Sequence, residues 1–479
     1  MKKILAMLLA LVMVLSLVAC GTAPVTDDPK HKETEATKKP EDNPKETSAL
    51  DLETPVTLKV YGPGIFGGPA EGGVDAYTGQ QTVGWQPIVD AWNEKYSNVT
   101  LQIEGIGWAD WRTAIQTAVL GDGVDVICHG GVLPELSIPL TSLMESDPEF
   151  AEQIYVTTPY RTDVPEGCTL ETATLMSIPA RVGPAGMILN KEIFDNYGVE
   201  LPHSSYTWSD VVALAEQLTN IDPVTGKQTY GFLINGMGAT DSMKTYRMLA
   251  YAYDAVAIDY GPTAKESVID FNTPACTKVF ETFQALAKCC SPDNIEGVES
   301  RRVYADDNVA MAWSEGLAGD KKALIASGDE DKYVFMPMPV IEAGPDKGKP
   351  CTFMGDNHFA ISKSSEHQDW AWEFIKFVLT SEVSLEFAVS NGIQWNTPEG
   401  VDALTPVVGE EFTTILKEIL ENVPEGACST SVYYDTTNFG GMEGYLSSAL
   451  WELGKGNMNV EECVAAIDKA VADYKATLD

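Results

Sequence analysis

The sequence predicts an α/β fold built on mostly parallel sheets, and three observations carry that prediction. Apolar residues alternate in short runs, then recur at steps of three and four, then alternate again, so strand and helix periods succeed one another. Between residues 54 and 130 the order reads strand, helix, strand, helix, strand, which yields parallel strands joined by helical crossovers. The patterned part of the chain runs to about 425 residues, too many for one hydrophobic core, so two or three domain-sized units are expected.

The N-terminus follows a different rule. Lys2 and Lys3 precede residues 4–19, where Ser16 is the only polar side chain. A charged start and an apolar stretch shorter than the ~20 residues of a membrane span are the layout of an export signal. It closes on Leu17-Val18-Ala19-Cys20, which resembles the lipobox of bacterial lipoproteins, whose cysteine sulfur takes a diacylglycerol. Residues 1–20 are thus the expected signal peptide, Cys20 the lipidation site with palmitate as acyl chain, and the outer face of the cell membrane the location. Residues 21–54 are dominated by Thr, Pro, Lys, Glu, Asp and Asn and hold no aromatic, so they bury too little to order themselves. A disordered tether with a reach on the order of 30 Å is expected.

Formal charge is −38 for the chain, and loss of Lys2 and Lys3 leaves thirty basic against seventy acidic side chains, −40. Such a balance argues against nucleic acid, which rewards clustered cations, and against an anionic lipid surface. Besides Cys20 there are Cys128, Cys168, Cys276, Cys289, Cys290, Cys351, Cys428 and Cys463, widely spread with no C-x-x-C. That spacing favours buried free thiols over a disulfide framework and argues against zinc; no metal or cofactor is expected.

The elements justify themselves in order. TPVTLKVY (54–61) alternates as a strand, and Trp85, Ile88, Val89, Trp92 and Tyr96 then lie on one helical face. VTLQIEGI (99–106) is a second strand; Trp111, Ile115, Ala118 and Val119 line a helix that Gly121 is expected to end in the left-handed conformation. VDVICHG (124–130) is the third strand. LMSIPA (175–180) and AGMILN (185–190) read as strands either side of a glycine-proline turn, followed by the helix KEIFDNYG, stopped at Gly198. In TWSDVVALAEQL, Thr207 and Asp210 have capping-box spacing, and Val211, Leu214, Ala215 and Leu218 form the buried stripe. Trp370, Phe374, Phe377 and Val378 mark a helix within 365–381, and Val460, Val464, Ile467, Val471, Tyr474 and Leu478 a terminal helix capped by Asn459. GPGIFG (62–67) fits G-x-G-x-x-G after a strand, but Pro63 removes an amide donor and no helix starts at the third glycine. A long lip over a cleft is the better reading.

Together these segments resemble the extracellular solute-binding proteins of ABC importers, in particular the sugar-binding group of the maltose-binding type. The resemblance spans about residues 54–479 and rests on five stretches in the family's order: WNEKYSNVTLQIEGIGWADWRTAIQTAVLGDGVDVI, MILNKEIFDNYGVELPHSSYTWSDVVALAEQL, NVAMAWSEG, YVFMPMP and GDNHFAISKSSEHQDWAWEFIKFVLTSEVSLEFAVSNGIQWNTPEG. Val124 stands where the family's G-x-x-P-D-V has proline, Leu189 where it has tyrosine and Asp210 where it has glutamate. The resemblance implies a two-lobe periplasmic-binding-protein-like fold, each lobe a mostly parallel sheet flanked by helices. Lobe one would take 55–175 plus 350–392 and lobe two 184–337 plus 398–479, with hinge crossings near 178–183, 338–340 and 392–396. It also implies a monomer, not an enzyme, that holds a carbohydrate, first of all an oligosaccharide, between the lobes and delivers it to ABC permease subunits. Two other classes stay open: an extracellular carbohydrate-active hydrolase, needing carboxylates about 5.5 or 6.5–9.5 Å apart, and a lipid-anchored adhesin.

Ligands of open parallel sheets meet the loops beyond the carboxyl ends of strands. The candidate ligand-binding residues are therefore Tyr61 and Phe66 after the first strand, Trp108 after the second, His129 after the third and Arg181 on the first crossing. Trp313 and Glu315 close NVAMAWSEG, Asp356 and Asn357 precede Phe359, Trp395 sits on the last crossing, and Tyr433 precedes the C-terminal helices. Sugar C–H faces pack on aromatic rings while hydroxyls need planar polar partners, and this set supplies both. Trp85, Trp92, Trp111, Trp370 and Trp372 are assigned to packing. Arg181 is open between ligand clamp and interlobe ion pair, and His129 between ligand contact and turn residue.

Overall fold

The computed structural model describes residues 50–478 apart from 75–80, 108–110, 122, 130–135, 155–160, 163–173, 235–242, 262, 298–302, 305–306, 353 and 423–441, with backbone alone at 161–162, 354–356 and 443. The export signal, Cys20 and all but the last residues of the tether lie outside the described residues, as do Trp108, Tyr433, Cys168, Cys428 and the side chain of Asp356.

The first sheet starts as the alternation requires. β1 (Val56–Gly62), α1 (Gln86–Lys95), β2 (Val99–Gly105), α2 (Trp111–Gly121) and β3 (Val126–Cys128) follow in order. β1 pairs in parallel with β2, Val56 opposite Val99 through Gly62 opposite Gly105, and with β3 at Val60 and Val126. Leu58 and Val60 point into the core, as do Ile88 and Trp92 of α1 and Ile115, Ala118 and Val119 of α2. The stop expected at Gly121 is displaced: Gly121 is the last helical residue, and the left-handed φ of 66° falls on Gly123.

β4 (Ile178–Pro184) and β5 (Gly186–Asn190) replace the expected turn at the glycine-proline pair with an almost continuous extended run. Turn propensity yields here to burial, since Ile178, Ala180 and Val182 on one side of Ala185 and Met187, Ile188 and Leu189 on the other are all enclosed. β4 belongs to the first sheet and β5 to the second, so this run carries the chain between them. α3 (Lys191–Tyr197) is capped by Asn190 Oδ1, which accepts from the Glu192 and Ile193 amides, and ends at Gly198 with φ 64°. α4 (Trp208–Leu218) carries the expected capping box: Asp210 N–H donates to Thr207 Oγ1 (3.2 Å) and Thr207 N–H to Asp210 Oδ2 (2.8 Å).

α5 (Met243–Ala252), α6 (Pro274–Lys288), β6 (Met311–Ser314), α7 (Leu317–Ser327) and β7 (Tyr333–Pro337) complete the second sheet, whose order is β6-β5-β7. Both pairings with β5 are antiparallel, so this sheet departs from the mostly parallel expectation. The reason is connectivity: β6 and β7 run the same way, joined through α7, and β5 occupies the slot between them. Parallel bridges from Tyr230 to Val309 and from Leu233 to Ala312 extend the far side of β6.

β8 (Met354–Ile361) returns to the first sheet, giving the order β2-β1-β3-β8-β4, and is antiparallel to both neighbours. α8 (Gln368–Thr380) buries Trp370, Phe374, Phe377 and Val378 as its periodicity predicts, and α9 (Glu382–Ser390) follows it. The chain ends in α10 (Glu410–Glu421), α11 (Met442–Gly454) and α12 (Val460–Lys475), the last capped by Asn459 in a capping box with Glu462.

Each sheet has its own core, and the two make the two lobes. One gathers Leu58, Trp92, Phe359 and Phe374, the other Leu189, Trp208, Phe280 and Ile467. A third cluster, with Val182, Ile188, Leu317, Phe335 and Phe412, lies where β4 passes into β5. All six described cysteines are buried free thiols. No helix among the described residues is long and apolar enough to cross a membrane.

Candidate functional site

Where the chain passes between the sheets, polar groups from both are brought together. Arg181 on β4 stands opposite Asn357 on β8, and on its other side bridges to Trp395. The segment at 394–396 is zipped onto β4 by Val182 N–H to Gln394 O (3.0 Å), Asn396 N–H to Ala180 O (2.9 Å) and Asn396 Nδ2 to Pro179 O (3.0 Å). From the second sheet, Glu315 follows β6 and receives a charge-assisted hydrogen bond from Lys244 Nζ at 3.1 Å. Burial works to raise the Glu315 pKa, but the charges of Lys244, Arg181 and Arg247 outweigh it and hold the carboxyl below the usual carboxylate range. The charge of Arg181 on the first sheet is thus among those that favour the Glu315 carboxylate after β6 of the second.

At the carboxyl end of β3, His129 adopts a φ of 62°, uncommon outside glycine. Its ring lies 4.4 Å from that of His358 and 4.8 Å from Trp111, and its amide donates to His358 O at 2.6 Å. Burial, with the nearby Arg112 charge, lowers the His129 pKa to about 4, so the imidazole is neutral at pH 7. Asn357 is 8% exposed and lies against Gly64, where a Cβ would come within 2.8 Å of Asn357 Nδ2. Gly64, at φ 95°, thus admits the asparagine into the bend after β1. Tyr61 is half-buried on β1, beside Ile127 of β3.

Three candidates are corrected. Phe66 is 1% exposed, with ring centroids 6.1 Å from Phe359 and from Phe374, so the loop after β1 tucks this ring into the core. Trp313 lies within β6, 1% exposed, its indole N–H donating to Thr245 Oγ1 at 3.2 Å. Trp395 is fully enclosed and donates to Ser384 O at 2.9 Å. In each indole the ring and its only donor are satisfied internally, and a ligand has nothing left to engage. Trp108, Tyr433 and the Asp356 side chain fall outside the described residues.

Lys244 and Arg247 were not foreseen. They lie three apart on α5, where Met243, Thr245, Tyr246, Met248 and Leu249 are all buried. Two cations at helical spacing within such a run are the signal that could have found them. The turn at 222–227 is structural: Asp222 Oδ1 accepts from the Val224 and Thr225 amides, both at 2.8 Å, and Oδ2 from Asn196 Nδ2 at 2.9 Å.

A sequence profile described as bacterial extracellular solute-binding protein matches residues 78–384. Among solved structures, a solute-binding protein from Agrobacterium radiobacter in complex with ribitol superposes with TM-score 0.63 at 17% identity, covering 89% of this chain and 99% of that one. One from Thermotoga lettingae bound with α-D-tagatose gives TM-score 0.61 at 17% identity, covering 88% and 100%. An ABC substrate-binding protein from Listeria monocytogenes in complex with cycloalternan gives TM-score 0.60 at 16% identity, covering 88% and 99%. At these identities the likeness is one of fold.

Proposed function

The chain belongs to the bacterial extracellular solute-binding proteins, and from that premise we propose that it captures a carbohydrate between its two lobes for an ABC importer. The observation that carries the reading is that the charge of Arg181 from the first sheet acts on Glu315 of the second, which is itself ion-paired to Lys244, beside the crossings that join the sheets. Clefts between lobes are where ligands bind, and charge-assisted donors and acceptors from both sides suit sugar hydroxyls. The ribitol, tagatose and cycloalternan complexes of proteins with this fold support a polyhydroxylated ligand.

In this reading Tyr61, His129, Arg181, Glu315 and Asn357 line the cleft, with Lys244 and Arg247 added, and Asp356 of β8, Trp108 and Tyr433 as further candidates. Ligand touching both lobes stabilises a closed arrangement by its differential affinity for it, and closed protein docks on permease subunits. Lobe one comprises 55–175 plus 350–392 and lobe two 184–337 plus 398–479. Cys20 carries the lipid anchor, 21–54 is the tether, and no covalent chemistry is performed on the ligand.

Differential scanning fluorimetry against ribitol, tagatose, cycloalternan and malto-oligosaccharides tests the reading. A ligand that binds only the folded state at 100 times its Kd adds about 2.7 kcal/mol and raises the melting temperature. No shift with any glycan would sink carbohydrate capture; hydrolysis of an oligosaccharide would sink the transport role. Cys20→Ala should release the protein from the membrane fraction and abolish palmitate labelling.

A further inference from the structure

Helix α7 begins two residues beyond Glu315, and its first turns are lodged between two of the crossings. Leu317 lies over Gly186, the residue that opens β5, where a Cβ would come within 2.7 Å of Leu317 Cδ1. Gly319 faces Gly392, at the start of the last crossing: a Cβ on Gly392 would sit 2.7 Å from Gly319 Cα. Gly392 has φ 63° and closes the turn after α9, where its amide donates to Val389 O (3.2 Å). One turn further along, Lys322 Nζ donates to Ser390 O, a carbonyl at the C-terminal end of α9. A helix of the second sheet thus meets the segment returning from the first through glycine on both sides, with one lysine as a tether. Interdigitated side chains resist sliding, whereas bare backbone against bare backbone can rotate with little repacking.

We infer that the first turn of α7 is the fulcrum of lobe movement, with the pivot at Gly319 and Gly392. Because Glu315 precedes the helix by two residues, the charge contacts of Glu315 and the setting of the pivot move together. The inference rests on the proposed closure of two lobes over a ligand.

Gly319→Ala is the decisive variant. A Cβ at Gly319 would have the Gly392 carbonyl oxygen as nearest neighbour, at 3.7 Å, an ordinary contact, so the present arrangement accepts it and the helix gains a better former. Rotation about the pivot would then meet a methyl group. Encoded nitroxide labels at the exposed Thr117 of α2 and Lys469 of α12 report the distance between lobes by electron–electron double resonance in ligand-free protein. Gly319→Ala should give a narrower distribution, displaced from wild type, with the melting temperature unchanged or raised. Lys322→Met, which keeps the aliphatic stem and removes the tether, should broaden it. A Gly319→Ala distribution identical to wild type overturns the fulcrum and leaves carbohydrate capture standing; if that variant does not fold, an unchanged distribution in Lys322→Met overturns it instead. A single narrow wild-type distribution that no glycan of the fluorimetry panel displaces overturns lobe closure itself.

Discussion

His129 combines a left-handed backbone with a ring wedged between His358 and Trp111, and its depressed pKa gives the protein a pH dependence of known sign. In the unfolded chain the imidazole takes a proton near pH 6.5; in the folded chain burial and Arg112 delay this to about 4. Between those values the unfolded state binds more protons, so stability is intact above pH 6.5 and lost as pH falls towards 4, by up to about 3 kcal/mol. His358, also held well below its ordinary value by burial and by His129, acts in the same direction. His129→Asn, a residue that tolerates positive φ, should flatten the fall in melting temperature between pH 6.5 and 4. A second residue pair separates core from cleft. Trp395→Phe removes the bond to Ser384 O from an enclosed site and should cost about 1–3 kcal/mol, read by urea unfolding, while leaving glycan affinity unchanged. Arg181→Met should do the reverse, weakening glycan binding by tenfold or more for about 1.4 kcal/mol lost, with little change in unfolding. Strand-end position alone did not distinguish these residues in the sequence, because whether a tryptophan faces core or cleft depends on what a distant segment places over it.

Elements were most legible where local chemistry decides. Thr207 and Asp210 satisfy each other's amides within four residues, and no tertiary partner is needed to know that a helix starts there. Thr207→Ala should therefore cost about 1 kcal/mol in urea unfolding, and Thr207→Ser much less, since the hydroxyl acceptor is retained. The periodicity of α8 was equally readable, because Trp370, Phe374 and Phe377 point one way whatever covers them. Legibility failed where burial outweighs local preference. Gly183 and Pro184 favour a turn, yet the run from Ile178 to Asn190 stays extended because Ile178 and Ala180 are enclosed in the first core, Met187 and Leu189 in the second, and Val182 and Ile188 in the cluster between. Lys244 and Arg247 lie in a stretch to which the sequence reading gave no element and no role, and it is Glu315, following β6, that supplies Lys244 with its ion-pair partner.

At the scale of the molecule, the parallel β2-β1-β3 half of the first sheet follows from the order of elements, but the position of β8 does not. Phe359 pairs with Cys128 across more than 200 residues, and no local period encodes such a partner. The family resemblance assigned 350–392 to the first lobe without placing a strand between β3 and β4, and the reversed slot of β5 in the second sheet escaped both readings. The consequence is that neither lobe is a contiguous piece of chain. β8 lies between β3 and β4, so a chain ending at residue 340 would leave two strands with unpaired edges and take away α8, whose Trp370, Phe374 and Phe377 cover the first core. Unpaired edges template aggregation, and a core without its cover cannot offset the entropy of ordering. The truncated chain, which also loses Leu446, Leu450 and Ile467 of α11 and α12 from the second core, should show no near-ultraviolet circular dichroism signal and should aggregate on gel filtration. A monomeric, cooperatively unfolding fragment of that length would mean that β1, β2 and β3 form a sufficient sheet by themselves. In that case the crossings would be joints between independent domains, and not the seam along which one sheet is completed by the end of the chain.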